Sequence, residues 1–437
     1  MDAKMLLVDE VRLTPILISD PPLLNVQGVH QPFTPRLVVE VITKGGVSGL
    51  GETYGDGVYL ELARSIAEVL PGRAVTDVNA LFALAASAAE GGGAADVAEG
   101  VDTGGAADVD AGGLRGVRTA DKLRLSVVSA FETACLDALG KSLGLPVHAL
   151  LGGKVRDTVE YSAYLFYRWA AHPGAGPTDD WGAALDPAGI VAQARRFDRL
   201  HGFRSFKLKG GVFAPEREIA AIRALAEAFP GRPLRLDPNG AWSVETSLAV
   251  ARELEGVLEY LEDPASGTGA MAEIAARTDV PLATNMCVTT FEEVPEAFAK
   301  GAVRIVLCDH HYWGGLHRTR ELAALCRTYG VGLSMHSNTH LGISLAAMTQ
   351  VAATLPGLDH ACDTHYPWQT EDVVTTRPVF RAGRLAVSDA PGLGVELDRD
   401  ALAALHRRWL DDDGTLRERD DAAAMRAAHP GWTQGKW

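Results

Sequence analysis

Residues 233–264 read "PLRLDPNGAWSVETSLAVARELEGVLEYLEDP", and this stretch decides the fold. A short strand-like run ends on Asp237 and a Pro-Asn-Gly turn, an amphipathic helical stretch follows from Ser243, and a second short run ends on Glu262. Strand, turn, helix and strand within 32 residues make one parallel βαβ unit, because parallel neighbours need a crossover and a helix supplies it. Outward from this unit the rhythm repeats. "VEYSAYLFYR" and "RSFKLKGG" precede it, and "PLATNM", "VRIVLCDH", "GLSMHS" and "HACDTHY" follow, completing eight strands. Helical segments such as "PEREIAAIRALAEAF", "GLHRTRELAALCRTYG" and "GISLAAMTQVAATL" separate them. Eight such units in series predict an α/β fold, a (β/α)8 barrel of the TIM type.

The flanks do not share the rhythm. "VRLTPILIS" and "RLVVEVITKGGVSGLGET" predict an antiparallel opening with a hairpin at Gly45-Gly46, followed by helices over 58–70 and 126–144. Residues 90–113 hold 8 Gly, 6 Ala and 6 acidic residues with no Lys or Arg, a composition that buries little and reads as a flexible loop. The expected organisation is an N-terminal α+β capping domain over 1–155, the barrel over 156–375, and a C-terminal segment over 376–437 that returns toward the cap.

Composition narrows the function. With 47% hydrophobic and 22% charged residues in 437, the chain is a globular protein with sizeable cores. Lys+Arg total 41 against Asp+Glu 56, a net charge of −15, which argues against nucleic acid and anionic membranes as partners. Five cysteines form no CxxC pair, and "MDAKMLLVDEVRL" has no signal-peptide pattern, so a cytoplasmic setting is expected.

At the C-terminal end of successive strands stand Lys207 and Lys209, Asp237 and Asn239, Glu262, Asn285, Asp309, His336 and His365. Each alone reads as a turn former, a helix cap or a solvated charge. Their repetition in register does not, because a barrel brings all these strand ends to one face, where barrel enzymes keep their chemistry. Asp237, Glu262 and Asn285 come from three adjacent strands and offer hard oxygen donors suited to Mg²⁺, with room left for water or substrate oxygen. Glu262 is expected as the ligand rather than its neighbour Asp263, because its longer arm follows the strand directly. A substrate carboxylate at such an ion would have its α-proton acidified. Lys207 and Lys209, two apart on one strand, share a face. Lys209 is the candidate base, and Lys207 favours its neutral form by like-charge proximity while holding a substrate oxygen. Asp309 on the sixth strand would orient His336 on the seventh, giving a second base across the mouth.

These motifs resemble the enolase superfamily, whose two-domain members pair an α+β cap with a modified barrel and use Mg²⁺ with Lys or His bases to abstract a proton α to a carboxylate. Within it the chain is similar to the glucarate dehydratase group, on "FKLKGG", "DPNGAW", "YLEDP", "ATNM", "CDHHYW", "HSNTHLGISLA", "DTHYPWQ", "PGLGVELD" and "RDDAAAM". The resemblance implies substrate contacts from His30, Tyr164, Asn239, Ser337, Asn338, His365 and Arg419. It further implies a small diacid sugar as substrate, D-glucarate or its C5 epimer L-idarate, dehydrated to 5-dehydro-4-deoxy-D-glucarate. A homo-oligomer is the expected assembly. The 90–113 stretch departs from the family's cap, and Thr119 is a further candidate contact near it. Two alternatives stand beside this reading: a dehydratase or epimerase of another aldarate or aldonate, and a catalytically weak paralogue with a binding role.

Overall fold

The computed structural model describes residues 2–26, 28–91, 120–174, 176–416, 427 and 437. Arg419, Thr119 and residues 92–113 of the expected loop lie outside the described residues, while Glu90 and Gly91 are not loop but the last turn of a helix, Val78–Gly91. The chain opens with β1 (Val8–Ser19), the short pair β2 (Leu24–Asn25) and β3 (Gly28–Val29), then β4 (Phe33–Thr43) and β5 (Ser48–Tyr54). β1, β4 and β5 form an antiparallel sheet in that order. The expected hairpin joins β4 to β5, with Gly46 at φ +77° donating its N–H to Thr43 O at 2.8 Å.

Helix Ala120–Leu143 lies on this sheet so closely that a Cβ at Gly49 or Gly51 would fall inside the backbone of Ala134 or Ala130. Only glycine permits that approach. The middle of the helix is buried all round, Val127, Phe131, Ala134 and Ala138 among its core residues, because it is wedged between the cap sheet and the barrel. Its Glu132 accepts the backbone N–H groups of Leu316 (2.5 Å) and His317 (3.0 Å), at the start of helix Leu316–Tyr329. Glu52 of β5 likewise accepts the N–H groups of Leu341 and Ser344, both at 2.9 Å, at the start of helix Gly342–Ala353. The cap is thus tied to the barrel by buried carboxylates at helix N-termini, where unpaired N–H groups and the helix dipole favour negative charge.

The barrel strands are β6 (Thr158–Phe166), β7 (Phe206–Lys209), β8 (Leu234–Asp237), β9 (Tyr260–Glu262), β10 (Leu282–Thr284), β11 (Ile305–Cys308), β12 (Gly332–Met335) and β13 (Cys362–Thr364). They pair in parallel in the order β12-β11-β10-β9-β8-β7-β6-β13. At the remaining seam, the N–H groups of Asp359 and His360 reach Leu333 O at 3.2 and 3.3 Å, which nearly closes the ring. β14 (Arg384–Ala386) then runs antiparallel to β6. Helix Arg399–Asp411 lies against β1, with Leu402 and Leu405 buried and His406 Nδ1 2.6 Å from Pro15 O. All five cysteines are free and buried. Among the described residues no helix is long and apolar enough to cross a membrane.

Candidate active site

The strand-end residues singled out above gather at one end of the barrel, beneath the cap, with Lys207 set deeper than the rest. A cavity there is lined by Tyr164, Lys209, Asn239, Asn285, His336, Ser337, Asn338 and His365 from the barrel and by Asn25, His30 and Lys122 from the cap.

On one side, the two lysines of β7 do not face each other unshielded. Asp237 stands between them, its Oδ2 2.7 Å from Lys209 Nζ and 3.3 Å from Lys207 Nζ. Lys209 also donates to Asn239 Oδ1 at 2.9 Å, and Asn239 holds a left-handed backbone (φ +56°) that turns its N–H onto Asp237 Oδ1. Tyr164 Oη donates to Asp237 Oδ2 at 3.3 Å, so its hydroxyl already has a protein partner. Burial works against ionising Asp237, yet Lys209 and then Lys207 outweigh it and hold the carboxyl at about 2.

Lys207 lies deeper than the sequence implied. It is fully buried, off the cavity wall, with its Nζ 2.7 Å from Asp363 Oδ2 and 2.5 Å from Glu262 Oε2. Burial disfavours its charge, but Asp363 and Glu262 more than compensate and keep it an ammonium. Glu262 is pushed well above the usual carboxylate range, by burial first and by Asp237 and Asp363 nearby, in spite of Lys207. Its Oε1 is buried without a hydrogen-bond partner. An orphaned carboxylate oxygen on β9, between the strands that end in Asp237 and lead to Asn285, is the donor chemistry of a hard divalent cation such as Mg²⁺, so these residues fit that ion. Asp263 is otherwise engaged: it accepts from Thr284 Oγ1 (2.5 Å) and from the N–H of Asn285 (2.8 Å), fixing the end of β10.

On the other side, Asp309 Oδ2 lies 3.0 Å from His336 Nδ1. Its Oδ1 meets both the N–H (2.9 Å) and Nδ1 (3.0 Å) of His311. Burial favours the neutral acid, but the hydrogen bonds to His311 and His336 hold Asp309 well below the usual carboxylate range. Burial lowers His336 below an ordinary histidine although Asp309 pulls the other way. With Nδ1 anchored on Asp309, Nε2 is the basic nitrogen. At the cap end of the cavity, His30 and His365 stack with ring centroids 6.1 Å apart, and Asp20 Oδ2 lies 3.4 Å from His30 Nδ1. Ser337 Oγ accepts the His365 N–H at 3.1 Å.

Sequence reasoning missed Asp363, His311, Asp20, Asn25 and Lys122. Asp363 and His311 stand inside quoted motifs, next to strand ends, and a wider reading of "CDTH" and "CDHH" would have reached them. Lys122, whose Nζ lies 3.8 Å over the Tyr312 ring, is one lysine in a long helix with no local mark.

The chain matches the family description "Mandelate racemase / muconate lactonizing enzyme, N-terminal domain" over residues 10–152 and "Enolase C-terminal domain-like" over residues 189–401. The chain belongs to the enolase superfamily. It is 72% identical over 430 residues, 98% of this chain and 97% of the relative, to a probable glucarate dehydratase of Streptomyces coelicolor. A crystal structure of an enolase from Thermobispora bispora complexed with magnesium and formate is 53% identical, with a TM-score of 0.90 over 99% of this chain and 100% of that one. An enolase from Mycobacterium smegmatis complexed with tartrate is 52% identical, with a TM-score of 0.89 and all of both chains covered.

Proposed function

We propose that this enzyme is a Mg²⁺-dependent glucarate dehydratase, acting on D-glucarate and L-idarate to give 5-dehydro-4-deoxy-D-glucarate. The observation that carries it is that Lys209 and His336, the latter held by Asp309 behind it, line one cavity from strands far apart in the ring, with the strands that carry Asp237, Glu262 and Asn285 between them. The probable glucarate dehydratase, 72% identical, and the tartrate and magnesium complexes of related enolases support it.

Bound by Asp237, Glu262 and Asn285, Mg²⁺ supplies positive charge that offsets the negative charge developing on a substrate carboxylate. His336 Nε2 takes the C5 proton of D-glucarate while Asp309 fixes its tautomer and balances the imidazolium that forms. The same imidazolium returns its proton to the departing C4 hydroxyl, so hydroxide leaves as water. For the epimer, Lys209 as the neutral amine takes the C5 proton from the other side and keeps it, and the protonated form of His336 gives its proton to the departing C4 hydroxyl. Lys207, held as an ammonium, keeps positive charge beneath the reacting carboxylate. His30 and His365 at the far end would hold the second carboxylate. The buried free thiols fit work in the reducing cytoplasm.

The test is a panel of C4 to C6 acid sugars incubated with Mg²⁺ and scored for a 2-keto product. Turnover of D-glucarate and L-idarate is expected, and no turnover of any C6 diacid contradicts the reading.

A further inference from the structure

A continuous run of ion pairs, buried except at its last, half-buried pair, leads down the barrel interior from Lys207. Asp363 divides its two oxygens, Oδ2 to Lys207 Nζ at 2.7 Å and Oδ1 to Arg235 NH1 at 3.0 Å. Arg235 continues through its Nε to Glu259 Oε2 at 2.7 Å, and Glu259 Oε1 meets His360 Nδ1 at 2.7 Å near the opposite end of the barrel. Lys207 and Arg235 are register partners on β7 and β8, and Lys207, Arg235 and Asp363 are all fully buried. None of the residues beyond Lys207 lines the cavity.

The run matters because two groups compete for the Lys207 ammonium. On one side is Asp363, neutralised in turn by Arg235. On the other are Glu262 Oε2 at 2.5 Å and Asp237 Oδ2 at 3.3 Å, the carboxylates read above as cation ligands. A buried ammonium cannot go without an anion. Deprived of Asp363, it has only Glu262 and Asp237 to pair with, and it becomes a built-in competitor for the cation.

We infer that Asp363, backed by Arg235, is a positioning residue that takes a share of the Lys207 ammonium from Glu262 and Asp237 and so leaves part of their charge available to a divalent cation. This rests on the reading of Asp237 and Glu262 as cation ligands.

The experiment is Mn²⁺ binding without substrate, followed by the loss of the free-ion electron paramagnetic resonance signal, in a double-mutant cycle on the full chain. Asp363→Asn should weaken Mn²⁺ by at least about tenfold, by the competition argued above. Lys207→Met should tighten Mn²⁺ far more in the Asp363→Asn background than in wild type, because there Glu262 and Asp237 carry the whole of the ammonium's charge that Asp363 otherwise shares. Asp363→Ser serves in the same cycle if the asparagine variant does not fold. Wild-type affinity in Asp363→Asn, or an equal gain from Lys207→Met in both backgrounds, overturns the inference while leaving the cation site standing. Failure of wild type to bind Mn²⁺, or unchanged binding in Asp237→Asn, overturns the cation site and this inference with it.

Discussion

Lys209 and His336, the two proposed bases, line the same cavity, yet the two sides of the mouth hold them by opposite electrostatics. On the lysine side, charge is dense: Asp237, Glu262 and Asp363 share Lys207 and Lys209 in a web of contacts of 2.5–3.3 Å. On the histidine side one carboxylate, Asp309, serves two imidazoles at 3.0 Å each. The histidine is therefore ready as it stands, neutral by burial and oriented through Nδ1, whereas Lys209 Nζ is engaged by Asp237 and Asn239. On the function proposed above, the charged side is completed by a cation, and the neutral side is complete already.

The largest effect should come from the charged side. Asp237→Asn removes one of the proposed cation ligands and the anion between the lysines, and kcat should fall by at least about 10³-fold. Circular dichroism should show the fold retained. Substantial turnover with the added divalent ion chelated would erase the contrast between the two sides.

A smaller loss is expected from Asp309→Asn, about 10²-fold in kcat/KM, the lower end of what a positioned base contributes. The pH profile sharpens the comparison. His336 must be neutral to accept a proton, so activity rises with pH through its pKa, which burial sets below the ordinary 6.5 against the upward pull of Asp309. Removing that pull should move the acidic limb to still lower pH while the plateau falls. A limb that moves upward would show that Asp309 does not act through His336.

Tyr164→Phe should do least. It deletes one O–H to Asp237 Oδ2 at 3.3 Å, a contribution of about 1 kcal/mol or less than tenfold in rate. A thousandfold loss in a steady-state assay would mean that the hydroxyl serves the substrate directly.

Legibility followed the same division. Residues one strand apart in register, such as Asp237, Glu262 and Asn285, were readable because strand, turn and helix repeat at nearly constant spacing and a barrel converts that spacing into adjacency. The pairing of Asp309 with His336 followed from neighbouring strands in the same way. What escaped were contacts set by three-dimensional closure: Asp363 reaches Lys207 across 156 residues, and Glu52 reaches Leu341 N across 289. Neither side chain carries a local signature of its distant partner. The depth of Lys207 escaped too, since strand alternation assigns a face and not a distance from the mouth. The 90–113 stretch was read from composition, and its first two residues were claimed by helix Val78–Gly91.

The claim that two bases work from the two sides is tested most directly by solvent-deuterium exchange, followed by NMR on His336→Asn and Lys209→Met with both diacids. His336→Asn should dehydrate neither substrate, since the acid that releases the C4 hydroxyl is gone, yet still exchange the C5 hydrogen of L-idarate through Lys209. Lys209→Met should keep some dehydration of D-glucarate through His336 and lose exchange of L-idarate from its own side. If His336→Asn exchanges neither diacid, or dehydrates either at the wild-type rate, the division of labour between the two sides is contradicted.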